Sequence, residues 1–479
     1  MRRLSEIRLR FDHPPEALER AVLAQGVPPG TAWQVLRKSL DARHKDRICW
    51  VYAVGLPEPG DEPPPRIRRR APDPRPVVVG AGPAGLLAAY RLALDGAPPL
   101  LLEQGDAMAE RVVRMARFMR RGILDERSNL GFGAGGAGAY SDGKLMTRVR
   151  SPHIPFILQT LVRFGAPAEI AHLANPHLGS GRIRRVIHRL IEELTALGAE
   201  VRFRQHVASL ATSGSRVIGV VLEDGTVISA SAVLLATGHS ARPLYQELER
   251  LGVAMRLKPF AVGARLEHPR ARVDRIQHGP SAGHPALGAA TYRLAETWDQ
   301  PAGGGRRALY SFCMCPGGHV LNAATERDGV VSNGMSNAGH RGSFSNAALV
   351  VNVDEHDLPG QGLLRGIGWQ RELEVRAAAM ANPGGGCHAM PAQRLIDFLT
   401  GRPSSSLPPS SCPHPLRSAP VHELLPRFVV EAIGRGLEVF DRRMPGLICD
   451  EALLIGVETR TSAPVQILRD PTSRESSTF

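Results

Sequence analysis

Three glycines, Gly80, Gly82 and Gly85, follow the apolar run Val77–Val79, and an acid, Glu103, closes a second apolar run at Leu100–Leu102. Residue types at this spacing can hold a dinucleotide. Gly80 permits a tight turn after a strand, Gly82 lets the backbone approach a pyrophosphate, and Gly85 lets the next helix pack hard against the strand. Pro83 and Ala84 complete the turn, and the helix they open offers unpaired N–H groups and a partial positive charge to phosphates. Glu103, with Gln104 beside it, arrives at a strand end, where a carboxylate can accept from both ribose hydroxyls. The same charge would repel a 2′-phosphate, which favours FAD or NAD over NADP.

Other residues could carry chemistry beside this unit. A second glycine cluster, Gly131, Gly133, Gly135, Gly136 and Gly138, has no strand before it. It therefore reads either as bare backbone lying against a cofactor or as a turn under the sheet. Ser141, Asp142 and Lys144 follow it. Lys144 could stabilise negative charge on a reduced flavin or sit in a surface ion pair. Cys313 and Cys315 flank Met314, and on an extended chain both thiols face one side. Bridging them requires a bent backbone, because their α-carbons would otherwise lie near the ~7 Å limit for a disulfide. Buried, unreactive thiols are the other reading. Zinc ligation with Cys387, Cys412 or His414 lacks paired spacing, so no metal is expected. His239 could donate a proton to the cofactor or serve as a cap or satisfied core residue. Glu458 and Arg460, beside the apolar stretch Leu453–Val457, need partners if buried, either a ligand or each other's kind. His268 reads as structural.

Several elements must position these groups. Residues 1–56 alternate strand, helix and strand, which predicts a small α+β module. Residues 57–76 contain eight prolines and five arginines and read as an extended linker. A dinucleotide domain begins at 77, and Arg216–Gly238 reads as a β-meander turning at Asp224-Gly225 and ending in Ala236-Thr237-Gly238. The first part of this domain runs to 258, an inserted α+β substrate domain spans 259–440, and residues 441–479 return to the dinucleotide domain. The Pro/Ser-rich stretch 401–420 is expected to be mobile.

Composition narrows the function classes. The chain has 479 residues, enough for two or three domains, and 43% hydrophobic content suits an α/β enzyme. A net charge of +13 suggests nucleic acid, yet only four of the 59 basic residues are lysines (Lys38, Lys45, Lys144 and Lys258) and the arginines are scattered, apart from Arg66, Arg68, Arg69 and Arg70. That imbalance reads as GC-rich codon usage, and nucleic acid is not the expected partner. Six cysteines without a framework suit a reducing compartment. No apolar stretch approaches the ~20 residues that span a bilayer. The N-terminus has arginines but no apolar core, with Glu6 and Asp12 intruding. A soluble cytoplasmic protein with no membrane association is expected.

Five separated motifs occur in order: SLDARHKDRICWVY, SNLGFGAGGAGAYSDGKLMT, ATGHSAR, SFCMCPGGHV and GVETRTSAPV. Over nearly its whole length the chain resembles a bacterial family of uncharacterised FAD-dependent dehydrogenases. The resemblance implies bound FAD, a two-part FAD domain and an inserted substrate domain. It also implies that Val207 meets adenine through backbone groups, and that Thr237 and Gly238 lie beside the cofactor. Two departures stand out. Ala134 replaces the acid of the relatives' FGEGGAG, and where relatives continue into a GEGAGYAGGI element this chain stops at Phe479.

The expected fold is thus α/β, a Rossmann-like FAD/NAD(P)-binding domain with a β-meander and an inserted domain. The expected function is an FAD-dependent oxidoreductase passing a hydride or electrons through flavin. Gly80, Gly82, Pro83, Ala84, Gly85, Glu103, Gln104, Gly133, Gly135, Gly136, Val207, Thr237 and Gly238 would hold the cofactor; Lys144, His239, Cys313 and Cys315 are the catalytic candidates. The partner would be a small-molecule substrate or electron donor, with NAD(P)H binding transiently. The alternatives are an RNA-modifying or RNA-binding flavoprotein and a non-catalytic, truncated remnant.

Overall fold

The computed structural model describes residues 2–56, 72–145, 149, 151–300 and 305–479. Of the linker expected over 57–76, residues 57–71, including the cluster Arg66, Arg68, Arg69 and Arg70, lie outside the described residues.

Strands Arg2–Arg10, Gln34–Asp41 and Cys49–Leu56 form an antiparallel sheet in which the third lies between the other two. Helix Ala17–Leu23 buries Leu18 and Val22 against Ile7 and Val54, giving the N-terminal unit its own small core. Among the contacts that dock it on the rest, the Lys38 N–H donates to His172 O at 2.8 Å, the Ala174 N–H donates to Lys38 O at 2.9 Å, and Lys45 Nζ donates to Gln277 O at 2.6 Å.

The second unit is a four-stranded parallel sheet in the order Val233–Leu235, Val77–Val79, Leu100–Leu102, Glu200–Arg202. The two central strands are buried throughout, as parallel strands covered on both faces require. Helix Pro83–Leu94 makes the first crossover. Helices Met108–Arg121, Ile154–Arg163 and Ser180–Ala196 lie on the second. The meander follows as Val207–Ser213, Arg216–Leu222 and Val227–Ser229, and the chain then re-enters beside Val77–Val79.

A seven-stranded sheet dominates the third unit, in the order Ala295–Asp299, Arg306–Cys315, Phe344–Val353, Phe260–Pro269, Leu453–Glu458, Met390–Arg394, Leu416–Ser418. Helix Arg427–Arg443 buries Leu437 and Phe440 within its core. The expected boundary at 440 falls inside that helix. Strand Leu453–Glu458 lies in the middle of this sheet, pairing with both Phe260–Pro269 and Met390–Arg394. The return comes later: Val465–Ile467 pairs with Met255–Leu257, and the Ala254 N–H donates to Thr478 Oγ1 at 2.7 Å. The stretch 401–420 is bonded into the sheet domain, with Ser410 and Ser411 hydroxyls donating to the buried Glu267 and Ser404 Oγ donating to Asp397. Among the described residues no helix is long and apolar enough to cross a membrane.

Candidate functional site

The turn after Val77–Val79 is shaped by close backbone packing. Gly80 sits at φ +104, and a Cβ there would stand 2.5 Å from Ala236 O. A Cβ on Gly85 would stand 1.9 Å from Gly80 O, so the first turn of the helix lies directly on the strand end. At Gly82 the nearest atom to such a Cβ is the Gly136 Cα at 3.9 Å. The first turn of helix Pro83–Leu94 has N–H groups at Ala84 and Gly85 with no intrahelical acceptor.

Glu103, 5% exposed, organises this turn. Its Oε2 accepts from the Ala81 N–H at 2.8 Å, and its Oε1 accepts from the Gly105 and Gly133 N–H groups, both at 2.9 Å. A carboxylate has about four lone-pair sites, so three backbone donors leave one for a further hydroxyl. The second glycine cluster is thereby fastened to the first. The Gly135 N–H donates to Ala81 O at 2.8 Å, and a Cβ on Gly136 would lie 3.0 Å from the Gly82 Cα. Gly133, Gly135 and Gly136 have φ of +109, +81 and +53, a run that side chains would strain.

Arg111, unmarked in the sequence, holds the loop from the other side. It is fully buried and donates to the carbonyls of Asn129, Leu130, Gly133 and Ala134, the last at 2.6 Å. Burial pulls its guanidinium down to about 10, still protonated at neutral pH. Tyr140 stacks between Arg111 and Arg184, whose guanidinium carbons lie 4.9 and 4.1 Å from the ring centre.

A cavity of about 500 Å³ opens at the carboxyl ends of Val77–Val79 and Leu100–Leu102. Five of the sequence-assigned residues line it: Gly80, Glu103, Gln104, Val207 and Thr237. Gly82, Pro83, Ala84, Gly85, Gly133, Gly135, Gly136 and Gly238 do not line it. Of these, the fingerprint residues and the three loop glycines form the packed turn and loop beside it. The far wall comes from the third unit, with Thr325, Glu326, Gly368 and Arg371.

A buried ion network joins the two units at that wall. Arg242 donates to Glu326 at 2.7 Å and to Glu374 at 2.9 Å; Arg460 Nη2 donates to the second Glu374 oxygen at 2.7 Å. Glu374 is 1% exposed, and although burial opposes its charge, the two arginines hold its carboxyl down at about 2. Arg460 thus lies in an ion pair, as does Glu458, which accepts two bonds from Arg265 at 3.0 and 2.8 Å. His239 shares a 2.8 Å hydrogen bond with Ser240 Oγ. Burial, reinforced by Arg460, pushes its imidazole down to about 4, which keeps the ring neutral in this setting.

Lys144, Cys313 and Cys315 come together in a second place. Lys144 Nζ lies 2.7 Å from Asp142 Oδ2 and 3.9 Å from Cys315 Sγ. His268 is buried and bonded to Leu447 O at 2.7 Å, a structural role.

The residues present fit a bound dinucleotide. Bare backbone stands where a Cβ would obstruct, free N–H groups open the helix, and Glu103 keeps one unused acceptor site at the cavity. Comparison with known proteins agrees. Residues 259–461 match a family described as FAD-dependent protein, C-terminal domain-like; 78–112 match an NAD(P)-binding Rossmann-like domain; 157–268 match flavin containing amine oxidoreductase; and 1–56 match a domain of unknown function. An uncharacterised protein from Clostridium beijerinckii is 40% identical over 400 residues, covering 83% of this chain and 73% of that protein. Among solved structures, a GidA-related protein from Thermus thermophilus aligns at 19% identity over 39% of this chain and 72% of its own, with a TM-score of 0.25. L-amino acid deaminase from Proteus vulgaris aligns at 14% over 44% and 66%, with a TM-score of 0.26. The chain belongs to the FAD-dependent oxidoreductase family that shares this C-terminal domain, and FAD is its cofactor.

Proposed function

We propose that this protein is a dehydrogenase whose FAD places its adenosine half in the cavity beside Glu103. Bound flavin supplies two-electron chemistry, accepting or passing a hydride between a small-molecule substrate and an electron partner such as transiently bound NAD(P)H. The chain's own residues do the positioning. Glu103 offers its remaining lone-pair site to a ribose hydroxyl, while Gln104, Thr237 and the backbone of Val207 meet the adenosine, and Gly238 follows Thr237 at the edge of the cavity. The free N–H groups of Ala84 and Gly85, at the positive end of the helix opened by Gly82 and Pro83, face the pyrophosphate. Gly133, Gly135 and Gly136 keep the adjoining loop free of side chains, and Lys144, half-buried and cationic, offsets negative charge on the reduced flavin.

The carrying observation is the cavity of about 500 Å³ at the carboxyl ends of the parallel strands, the crevice where open α/β sheets take their ligands. The test is the absorption spectrum of the native protein, followed by heat release and identification of the cofactor, then anaerobic bleaching with NADH, NADPH and candidate substrates. Gly368 lines the cavity and has no atom within 4 Å of where its Cβ would stand. Gly368→Phe is therefore expected to fold but lose FAD. A folded wild-type protein that is colourless, and whose melting temperature ignores added FAD, would refute the proposal.

A further inference from the structure

Cys313 departs from the strand it belongs to. It sits at φ +47, in the left-handed region that side chains rarely adopt, where the register with Phe344–Val353 slips between Phe312 and Cys315. Such strain in a non-glycine residue persists only where the surroundings impose it. The surroundings here are specific. The fully buried Arg265 donates to the Cys313 carbonyl at 3.3 Å, and the next turn is wedged by glycines: a Cβ on Gly317 would stand 2.0 Å from His340 O, and one on Gly318 would stand 3.0 Å from the Cys315 Cβ. The bulge bends the span that would otherwise hold two thiols too far apart to bridge. Cys315 Sγ lies 3.3 Å from the Cys313 carbonyl oxygen, to which its thiol donates, so the bend folds the second sulfur back toward the first residue.

The two sulfurs are not equivalent. Cys313 is half-buried beside the exposed Phe312, whereas Cys315 is fully buried next to Lys144. Its neighbour Cys315 draws the Cys313 thiol below an ordinary thiol; burial opposes this, and the cations of Lys144 and Arg265 add to it. Cys315 moves the other way, well above an ordinary thiol. Around the pair, Asp142 and Glu458 supply negative charge and Tyr292 is buried with its hydroxyl neutral. His177 and His340 face Asp142, the nearer at 3.2 Å. Cys387 and Cys412 mark the contrast: burial pushes them up to about 11 and about 12.

We infer that Cys313 and Cys315 form a redox-active dithiol that exchanges with low-molecular-weight disulfides, Cys313 attacking and Cys315 resolving. The Cys313 thiolate attacks one sulfur of the substrate disulfide; a new S–S bond forms and the first substrate thiolate leaves. Cys315 loses its proton to that thiolate and attacks the Cys313 sulfur. The intrachain bond closes, and the second substrate thiolate departs and takes a proton from solvent. The substrate gains two electrons and the protein loses two, so the exchange is balanced without the flavin.

Glutathione disulfide is the probe, applied to the protein as purified. After treatment and blocking with N-ethylmaleimide, trypsin releases residues 308–327, which carry both cysteines and no other. The expected wild-type peptide is lighter than the reduced one by two hydrogens, carries no maleimide and is restored by dithiothreitol. Cys315→Ser is expected to stop with glutathione attached to Cys313, and Cys313→Ser to give neither bridge nor adduct. Lys144→Met should slow Cys313 alkylation at pH 7 several-fold. A wild-type peptide bearing two maleimides at every glutathione disulfide concentration overturns the inference, and so does a folded Cys315→Ser protein without an adduct. The flavin spectrum, read on the same sample, reports separately on the dehydrogenase proposal.

Discussion

Replacing Glu103 by Gln changes one atom, and the structure sets what that atom is worth. Three buried N–H groups point at the carboxylate, two at Oε1 and one at Oε2. The glutamine amide can place its oxygen at the Oε1 position and keep the Gly105 and Gly133 bonds. Its NH2 group then faces the Ala81 N–H at about the 2.8 Å of the lost bond, donor against donor. An orphaned buried N–H costs roughly 1–3 kcal/mol, and the two surviving bonds lose their charge assistance, roughly 1 kcal/mol each. The apoprotein should therefore lose about 3–5 kcal/mol in its dinucleotide domain, read as a lower urea midpoint by circular dichroism. FAD affinity should fall as well. The acceptor offered to the ribose is gone, at about 1.5–3 kcal/mol for a bond to a charged group, which is roughly 10- to 100-fold in Kd. Fluorescence titration with FAD measures this. A Glu103→Gln protein that unfolds at the wild-type urea midpoint and binds FAD with unchanged Kd would refute the role given to the carboxylate.

Glu374→Gln should weaken the interface, because it removes the negative charge shared by the buried Arg242 and Arg460; a loss of about 3–5 kcal/mol is expected in urea unfolding, and a loss below about 1 kcal/mol would show that the network contributes little. Gly85→Ala drives a Cβ to 1.9 Å from Gly80 O and should abolish FAD retention, whereas Gly384→Ala, with no atom within 4 Å of its Cβ, should match wild type in cofactor content. Acid stability follows from His239, His268, His340 and His414, each held at about 4 mainly by burial. These rings stay neutral in the folded protein while protonating near ~6.5 in the unfolded chain. Their contribution is complete above that value and is lost as pH falls from 6.5 to 4, each adding up to about 1.4 kcal/mol per pH unit to the slope. A urea midpoint that stays flat between pH 7 and 5 would contradict these assignments.

What could be read from the sequence depended on whether the requirement was local. Gly80, Gly82 and Gly85 each answer a backbone constraint within a few residues, so the strand, turn and helix were legible without any tertiary knowledge. Arg111 was not. It sits in a helix with Glu110, Arg114, Arg117, Arg120 and Arg121, a composition that reads as a solvated face. Its burial comes from carbonyls of residues 129–134, and a carbonyl leaves no mark in a sequence. Glu458 and Arg460 showed that buried charge needs partners, but the partners, Arg265 and Glu374, lie 193 and 86 residues away. The boundary expected at 440 missed because a strand in a mixed sheet carries no sign of which sheet it joins. At the thiol pair the expected alternation is broken, because Cys313 adopts a positive φ and the register slips between Phe312 and Cys315, a bend set by long-range packing.

The two candidate centres are linked by one stretch of chain. Gly133 and Gly135 are tied to Glu103 and Ala81 at the dinucleotide turn, and nine residues after Gly135 the same segment delivers Lys144 to Cys315. Arg111 fixes its start through four carbonyls, and the pairing of Lys144 with His177 fixes its end. Lys144 belongs to the dinucleotide unit and Cys315 to the sheet unit, so the lysine flanks the thiol pair only while the two are docked. The Arg242–Glu374–Arg460 network crosses the same boundary, and separating the units would break the buried ion pairs of Arg242 with Glu326 and Glu374. Opening the molecule between the units is therefore the costly route to the sulfurs. Approach past Phe312 to the half-buried Cys313 requires no such separation, which is why the attacking role falls to that cysteine and the resolving role to the enclosed one.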